Sequence, residues 1–72
     1  MDVVVNGEQR EVPEGATVST LLETLKVVPE RVVVELNLTI LKRAQHVNTV
    51  LQAGDRIEIV HFVGGGSAGL RS

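Results

Sequence analysis

The sequence contains no cysteine, tryptophan or tyrosine, and its single aromatic residue is Phe62. Without cysteine, the chain forms no disulfide, no thiolate metal site and no thiol nucleophile. With one aromatic ring, it has no platform on which nucleic-acid bases could stack. Because the only histidines are His46 and His61, a zinc site is not expected either. These absences argue against metalloenzymes, thiol enzymes and nucleic-acid-binding proteins.

The chain is also short and nearly neutral, with 72 residues and a net charge of −2. A domain of this size buries only ~60% of its unfolded surface and cannot enclose a large catalytic cleft. It lacks the excess of basic residues that is typical of nucleic-acid partners. We therefore expect a single monomeric domain that is not an enzyme and that binds no nucleic acid.

Long apolar runs are missing too, since none approaches the ~20 residues that a membrane-spanning helix needs. The segment from Met1 to Gly7 has neither the basic start nor the cleavage site of a signal peptide. A cytoplasmic protein without membrane contact is the expectation.

The most distinctive feature present is a run of three glycines, Gly64, Gly65 and Gly66, directly after an apolar segment. Glycine loses the most conformational freedom on ordering, so such a run is poor secondary structure. A backbone without Cβ atoms can instead thread a narrow channel and present its end to another protein's active site. A flexible linker is the alternative. We divide the chain into a body, residues 1–63, and a flexible tail, residues 64–72.

Turn signals and apolar spacing predict a hairpin and then a helix. Asn6-Gly7 is a strong two-residue hairpin signal between strands at 3–5 and 8–12. Thr17 is the predicted N-cap of a helix over 17–26, with Lys26 in its last turn. The stripe that supports this helix consists of Val18, Leu21, Leu22 and Leu25.

Pro29 excludes further helix, and three more strands are predicted at 32–36, 39–41 and 56–63. Residues 42–49 are ambiguous between a helical turn and a loop. The order β-β-α-β-β-β favours an α+β fold, the β-grasp arrangement. In this fold a mixed sheet of about five strands is covered on one face by one helix.

Period-two alternation places four apolar residues on the sheet face that a single helix leaves uncovered. If Ile57 and Ile59 face the helix, the alternate residues of each strand face away from it. The predicted members of the uncovered face are Val4, Val33, Val60 and Phe62. We predict that this face, with the adjacent Val63, binds partner proteins. The alternative is that β-branched residues simply suit exposed strands.

Three charged or titratable residues near this face have weaker functional interpretations. Glu35 and Glu58 share the uncovered face and could orient a basic partner. His61 is a candidate base near the tail, but a surface or core-edge histidine is the preferred interpretation, as it is for His46.

Several segments together resemble the ThiS-like sulfur carriers of thiamine biosynthesis, a branch of the ubiquitin-like β-grasp proteins. The matching segments are Val5-Asn6-Gly7-Glu8, Val33-Val34-Glu35-Leu36-Asn37, Leu51 with Gly54-Asp55, and the run from Ile57 to Gly66. The short Asn-Gly and Gly-Asp pieces are weak alone, whereas the last strand with its glycines is specific for the superfamily, which also contains MoaD-like carriers.

The resemblance implies a mechanism in which Gly66 carries the reactive carboxylate and Gly64 and Gly65 form its slender approach. A ThiF-like partner adenylates that carboxylate with ATP, and a persulfide on another protein then delivers sulfur to give a thiocarboxylate. The thiocarboxylate donates its sulfur to a ThiG-like thiazole synthase. The carrier itself binds no cofactor.

Two departures from the family pattern stand out. Members normally end at the glycines, but here Ser67-Ala68-Gly69-Leu70-Arg71-Ser72 follow. Gly66 therefore carries an amide, so these six residues were either added for expression or are removed by a trimming protease. The second departure is Leu38 after Asn37, where relatives often have glycine.

Two alternative functions stay open. One is a sulfur carrier for another product, namely molybdopterin, cysteine, thiolated tRNA or a sulfur-containing natural product. The other is a ubiquitin-like modifier, whose terminal glycine forms an isopeptide bond with lysine.

Overall fold

The first hairpin forms where the sequence predicts it, at Asn6 and Gly7. The computed structural model describes residues 1–62, and both turn residues have the positive φ, 49° and 82°, that a tight two-residue connection requires. The described elements follow the predicted order, with two added 3-10 turns. They are β1 Asp2–Val5, β2 Glu8–Glu11, α1 Val18–Thr24, a 3-10 turn Pro29–Arg31, β3 Val32–Leu36, β4 Thr39–Leu41, a second 3-10 turn Arg43–Gln45 and β5 Arg56–His61.

The strands form one mixed sheet in the order β2-β1-β5-β3-β4. β1 and β5 run parallel, and the other neighbouring pairs are antiparallel. β5, the strand that leads towards the glycines, therefore occupies the centre of the sheet. This is the predicted α+β, ubiquitin-like β-grasp fold.

The apolar core lies between α1 and one face of this sheet. Val18, Leu21 and Leu22 are the buried residues of the helix. The strand residues that join them in the core include Val3, Val5, Val32, Val34, Ile57 and Ile59. Alternate residues of β1, β3 and β5 thus face the helix, as the period-two pattern predicts.

The N-terminus of α1 is capped as predicted. The Thr17 hydroxyl accepts a hydrogen bond from the Thr20 backbone N–H at 3.1 Å. In return, the Thr20 hydroxyl accepts one from the Thr17 backbone N–H at 2.7 Å. This reciprocal pair satisfies two of the backbone donors that a helix start leaves free.

The C-terminus of α1 lies earlier than predicted, at Thr24, and the placement of Lys26 in the last turn was wrong. Lys26 adopts a left-handed conformation with φ 59°, and the Val27 N–H bonds back to the Leu22 carbonyl at 2.9 Å. This Schellman-type arrangement ends a helix and normally uses glycine at the left-handed position. Pro29 does not exclude all helix, because it begins a 3-10 turn, where its missing N–H costs nothing.

β3 and β4 have the predicted bounds, whereas one end of each of β1, β2 and β5 differs from the prediction by one or two residues. β2 ends at Glu11 and β5 at His61, and Val63 lies outside the described residues. The ambiguous segment 42–49 contains a 3-10 turn at Arg43–Gln45. Within the described part of the chain, no helix combines the length and apolarity needed to cross a bilayer.

Candidate partner-docking face

Three apolar residues meet on the sheet face opposite α1, close to the end of β5. Val33 on β3 is directly opposite Val60 on β5, and Val60 is 53% exposed. The Phe62 N–H donates to the Arg31 carbonyl at 2.9 Å, which extends the β3–β5 ladder by one rung. Period two then places Phe62, 55% exposed, on the same face as Val60. Val33, Val60 and Phe62 are called the docking patch below.

Val4 shares this face but not the docking patch. Its cross-strand neighbour on β5 is Arg56, four residues before Val60, which is about 13 Å along the strand. Of the four residues predicted to share the uncovered face, the structure therefore brings three together and leaves Val4 apart.

Beside the docking patch, two acidic residues face each other across the same pair of strands. Glu35 on β3 is opposite Glu58 on β5, and Ile40 on β4 is opposite Glu35. Ile40 is 65% exposed and extends the apolar surface of this face. Sequence analysis missed Ile40, although a two-residue turn after Leu36 would have fixed its register against Glu35.

The tail predicted to be reactive, Gly64, Gly65 and Gly66, lies outside the described residues, as does Val63. What the structure does place is the point from which the tail departs. Phe62, the last described residue, is a member of the docking patch and follows directly on the central strand. The described chain therefore ends beside the docking patch, on the open face of the sheet.

Both hairpin asparagines bind β5 through their side chains. The Asn6 Oδ1 atom accepts a hydrogen bond from the Ile59 N–H at 2.7 Å, and its Nδ2 donates to the Ile59 carbonyl at 3.2 Å. At the other end of the strand, the Asn37 Oδ1 accepts from the Arg56 N–H at 2.9 Å. Their turn positions were predictable from the sequence, but these long-range bonds were not.

Neither histidine belongs to the docking patch. His61 is exposed and alternates with Val60, so it faces the helix side of the sheet. His46 is 5% exposed, and neither of its ring nitrogens has a hydrogen-bond partner among the residues that the structure describes. Burial, and to a lesser extent the positive charge of Arg43, lowers the pKa of His46. Among residues 1–62, no three side chains suited to metal binding come together.

Comparison with known proteins identifies the family of this chain. A model of the ThiS family matches residues 3–66, from β1 to the last of the three glycines. The chain belongs to the ThiS family. The crystal structure of the thiamine biosynthesis protein ThiS from Geobacter metallireducens is similar to this ThiS-family chain, with a TM-score of 0.80 and 40% sequence identity. That similarity covers 92% of this chain and 100% of the other.

Two longer proteins contain a segment similar to this ThiS-family chain. It is 42% identical over 66 residues to the thiazole synthase of Magnetococcus marinus, a match that covers 92% of this chain. It is also 42% identical over 67 residues to the thiazole synthase of Paramagnetospirillum magneticum, covering 93% of this chain. The chain spans only 20% and 21% of the length of these two relatives.

Proposed function

We propose that this protein is a sulfur carrier in thiamine biosynthesis and that Gly66 carries the sulfur as a thiocarboxylate. The observation that carries the proposal is the family match, which extends through the body and all three glycines to Gly66. The similarity to a thiamine biosynthesis protein over nearly the whole chain supports the same pathway. In this proposal the protein supplies a carboxylate and a docking surface, and the catalytic groups belong to its partners.

The chemistry requires a free carboxylate at Gly66, so hydrolysis of the Gly66–Ser67 peptide bond comes first. A carboxylate oxygen then attacks the α-phosphorus of ATP on a ThiF-like enzyme, and pyrophosphate leaves. The terminal sulfur of a protein persulfide attacks the acyl carbon of the resulting adenylate, and AMP leaves. A thiol reductant supplies the two electrons that cleave the remaining sulfur–sulfur bond, which releases the thiocarboxylate.

The docking patch is proposed to bind the ThiF-like enzyme and thiazole synthase in turn. Gly66 is the fourth residue after Phe62, and a fully extended chain of four residue steps spans at most ~14 Å. A partner that contacts Phe62 must therefore hold its catalytic centre within that distance. The two relatives named thiazole synthase support such a partner, because each includes a segment similar to this chain.

The charges beside the docking patch indicate what kind of partner surface would bind there. Glu35 and Glu58 place two negative charges beside Val33 and Val60. A partner surface with an apolar centre and a neighbouring arginine or lysine would complement both features.

The test is an intact-mass measurement on a chain that ends at Gly66. This chain retains the described core and hydrogen bonds, which lie within residues 1–62. Incubated with ATP, sulfide and the ThiF-like enzyme, it should gain the mass difference between sulfur and oxygen, whereas the chain of 72 residues should not. A chain that folds but stays unmodified would refute the proposal. A protein-sized adduct would instead identify a ubiquitin-like modifier.

A further inference from the structure

β5 is held unequally by its two neighbouring strands. Five residue pairs join it to β3, from Val32 opposite His61 to Leu36 opposite Ile57. Only two pairs, Val4–Arg56 and Val5–Ile57, join it to β1. The half of β5 nearest the tail therefore has no β1 strand beside it.

The Asn6 side chain takes the place of the missing rungs. A primary amide offers one carbonyl acceptor and N–H donors, the same groups that a peptide unit presents to a neighbouring strand. Asn6 uses both kinds of group on a single residue, Ile59, at 2.7 Å and 3.2 Å. It thereby pairs the backbone of β5 two residues beyond the last true β1 rung.

We infer that Asn6 is a positioning residue for the docking patch: its amide holds the part of β5 that carries Val60 and leads to Phe62. This inference rests on the proposed carrier function. The β3 side of this segment is held by the residue pairs up to Val32–His61 and by the hydrogen bond from Phe62 to the Arg31 carbonyl. Asn6 holds its β1 side at Ile59. A strand held on both sides keeps the docking patch in one arrangement, which lowers the entropy cost of binding a partner.

The residue at position 6 must tolerate a left-handed backbone, and its side chain must bond to the backbone of Ile59. Asn6 has φ 49°, a left-handed conformation that asparagine and glycine tolerate better than most residues. Glycine would keep the turn and lose both bonds to Ile59. Aspartate would keep an acceptor for the Ile59 N–H but would set a negative oxygen against the Ile59 carbonyl.

The chain contains its own matched control in Asn37. Asn37 has φ 51°, also follows a strand, and also accepts a backbone N–H of β5 at 2.9 Å. Its bond lies at Arg56, at the end of β5 that is remote from the tail. Asn6→Gly and Asn37→Gly therefore each remove one acceptor of a β5 backbone N–H, at opposite ends of the strand. Each also removes one donor: Asn6 Nδ2 bonds the Ile59 carbonyl, whereas Asn37 Nδ2 bonds the Asp55 carboxylate at 3.0 Å.

The first test is amide hydrogen exchange on the full chain without any partner. In Asn6→Gly, exchange of the Ile59 amide should accelerate by roughly tenfold or more relative to core amides, because its acceptor is lost. Asn37→Gly should accelerate Arg56 and leave Ile59 unchanged. Asn6→Asp, which retains an acceptor, should fall between wild type and Asn6→Gly and serves if the glycine variant is too unstable.

The second test compares adenylation of chains ending at Gly66. Asn6→Gly should lower kcat/KM by about tenfold or more relative to Asn37→Gly, under conditions where both variants are folded. Equal kcat/KM values for the two variants, or equal Ile59 exchange, would show that Asn6 contributes only general stability. If the wild-type chain is never adenylated, the proposed function fails, while the exchange result still decides whether Asn6 holds β5.

Discussion

Glu35 and Glu58 lie directly opposite each other on β3 and β5, on the face that α1 leaves open. Like charges at such a cross-strand position destabilise a sheet, typically by a few tenths of a kcal/mol to ~1 kcal/mol. We predict that Glu58→Gln raises the free energy of unfolding by about 0.5 kcal/mol and weakens binding of the adenylating partner. Urea unfolding and a binding titration at low and high salt measure the two effects.

The distinguishing result for Glu58→Gln is that the unfolding free energy rises while the affinity for the partner falls. Glu14→Gln, at an exposed turn away from this face, changes the net charge equally and should alter neither quantity appreciably. If both glutamine variants weaken binding to the same degree, net charge explains the effect and the Glu35–Glu58 pair does not.

Phe62 is the docking-patch residue closest to the tail, and it makes a backbone hydrogen bond to Arg31 that no side-chain change removes. Phe62→Asp should therefore leave the fold intact and weaken binding to both proposed partners by at least about tenfold. Val47→Asp is the matched control, since Val47 is similarly exposed but lies in the segment after the second 3-10 turn. Equal affinities for the two variants would remove the docking patch from the proposal.

Leu38 combines an unfavourable backbone conformation with almost complete exposure. Its φ is 72° and its exposed fraction is 89%. A left-handed conformation costs a residue with a Cβ roughly 1–2 kcal/mol, and little packing offsets that cost here. Leu38→Gly should raise the unfolding free energy by about 1 kcal/mol, measured by chemical denaturation. Leu38→Ala keeps the Cβ and should give little of this gain; a similar gain from alanine would contradict the backbone explanation.

His46 makes the stability of the protein depend on pH. Burial, followed by the charge of Arg43, lowers its pKa in the folded protein below the ordinary value of 6.5. The folded state therefore favours neutral His46, while the unfolded chain takes up a proton more readily. Stability is at its full value above pH 6.5 and falls as the pH drops below this value towards the folded pKa.

Replacing His46 by leucine should remove this dependence. His46→Leu should flatten the fall in unfolding free energy below pH 6.5. It should also add about 1 kcal/mol at neutral pH, because two buried nitrogens without partners are lost. Denaturation curves from pH 7.5 to 5 measure both effects, and an unchanged slope in His46→Leu would assign the pH dependence to other groups.

The strands were predictable because their signals are local. A run of consecutive valines indicated β3, whose bounds were predicted to the residue, and the Asn6-Gly7 pair located the first hairpin. The inward and outward faces of β5 followed from period two alone. The family resemblance supplied what these patterns could not, namely a proposed role for the glycines, which local physics leaves open between a linker and a reactive end.

The errors arose where distant residues or rare conformations decide the structure. Lys26 ends α1 in a left-handed conformation that its helix propensity does not suggest. The bond between Asn6 and Ile59 joins residues 53 positions apart, which no window on the sequence reveals. Val4 was grouped with Val60 because alternation assigns a face but not a height along the strand, and the parallel register then placed it beside Arg56.

The central position of β5 also determines how the protein bears load. Tension applied along β5 shears the long ladder to β3 together with the short one to β1, instead of opening one ladder rung by rung. An edge strand would peel away under the same tension. In the proposed carrier function, the body can therefore stay folded while a partner draws on the end of the chain.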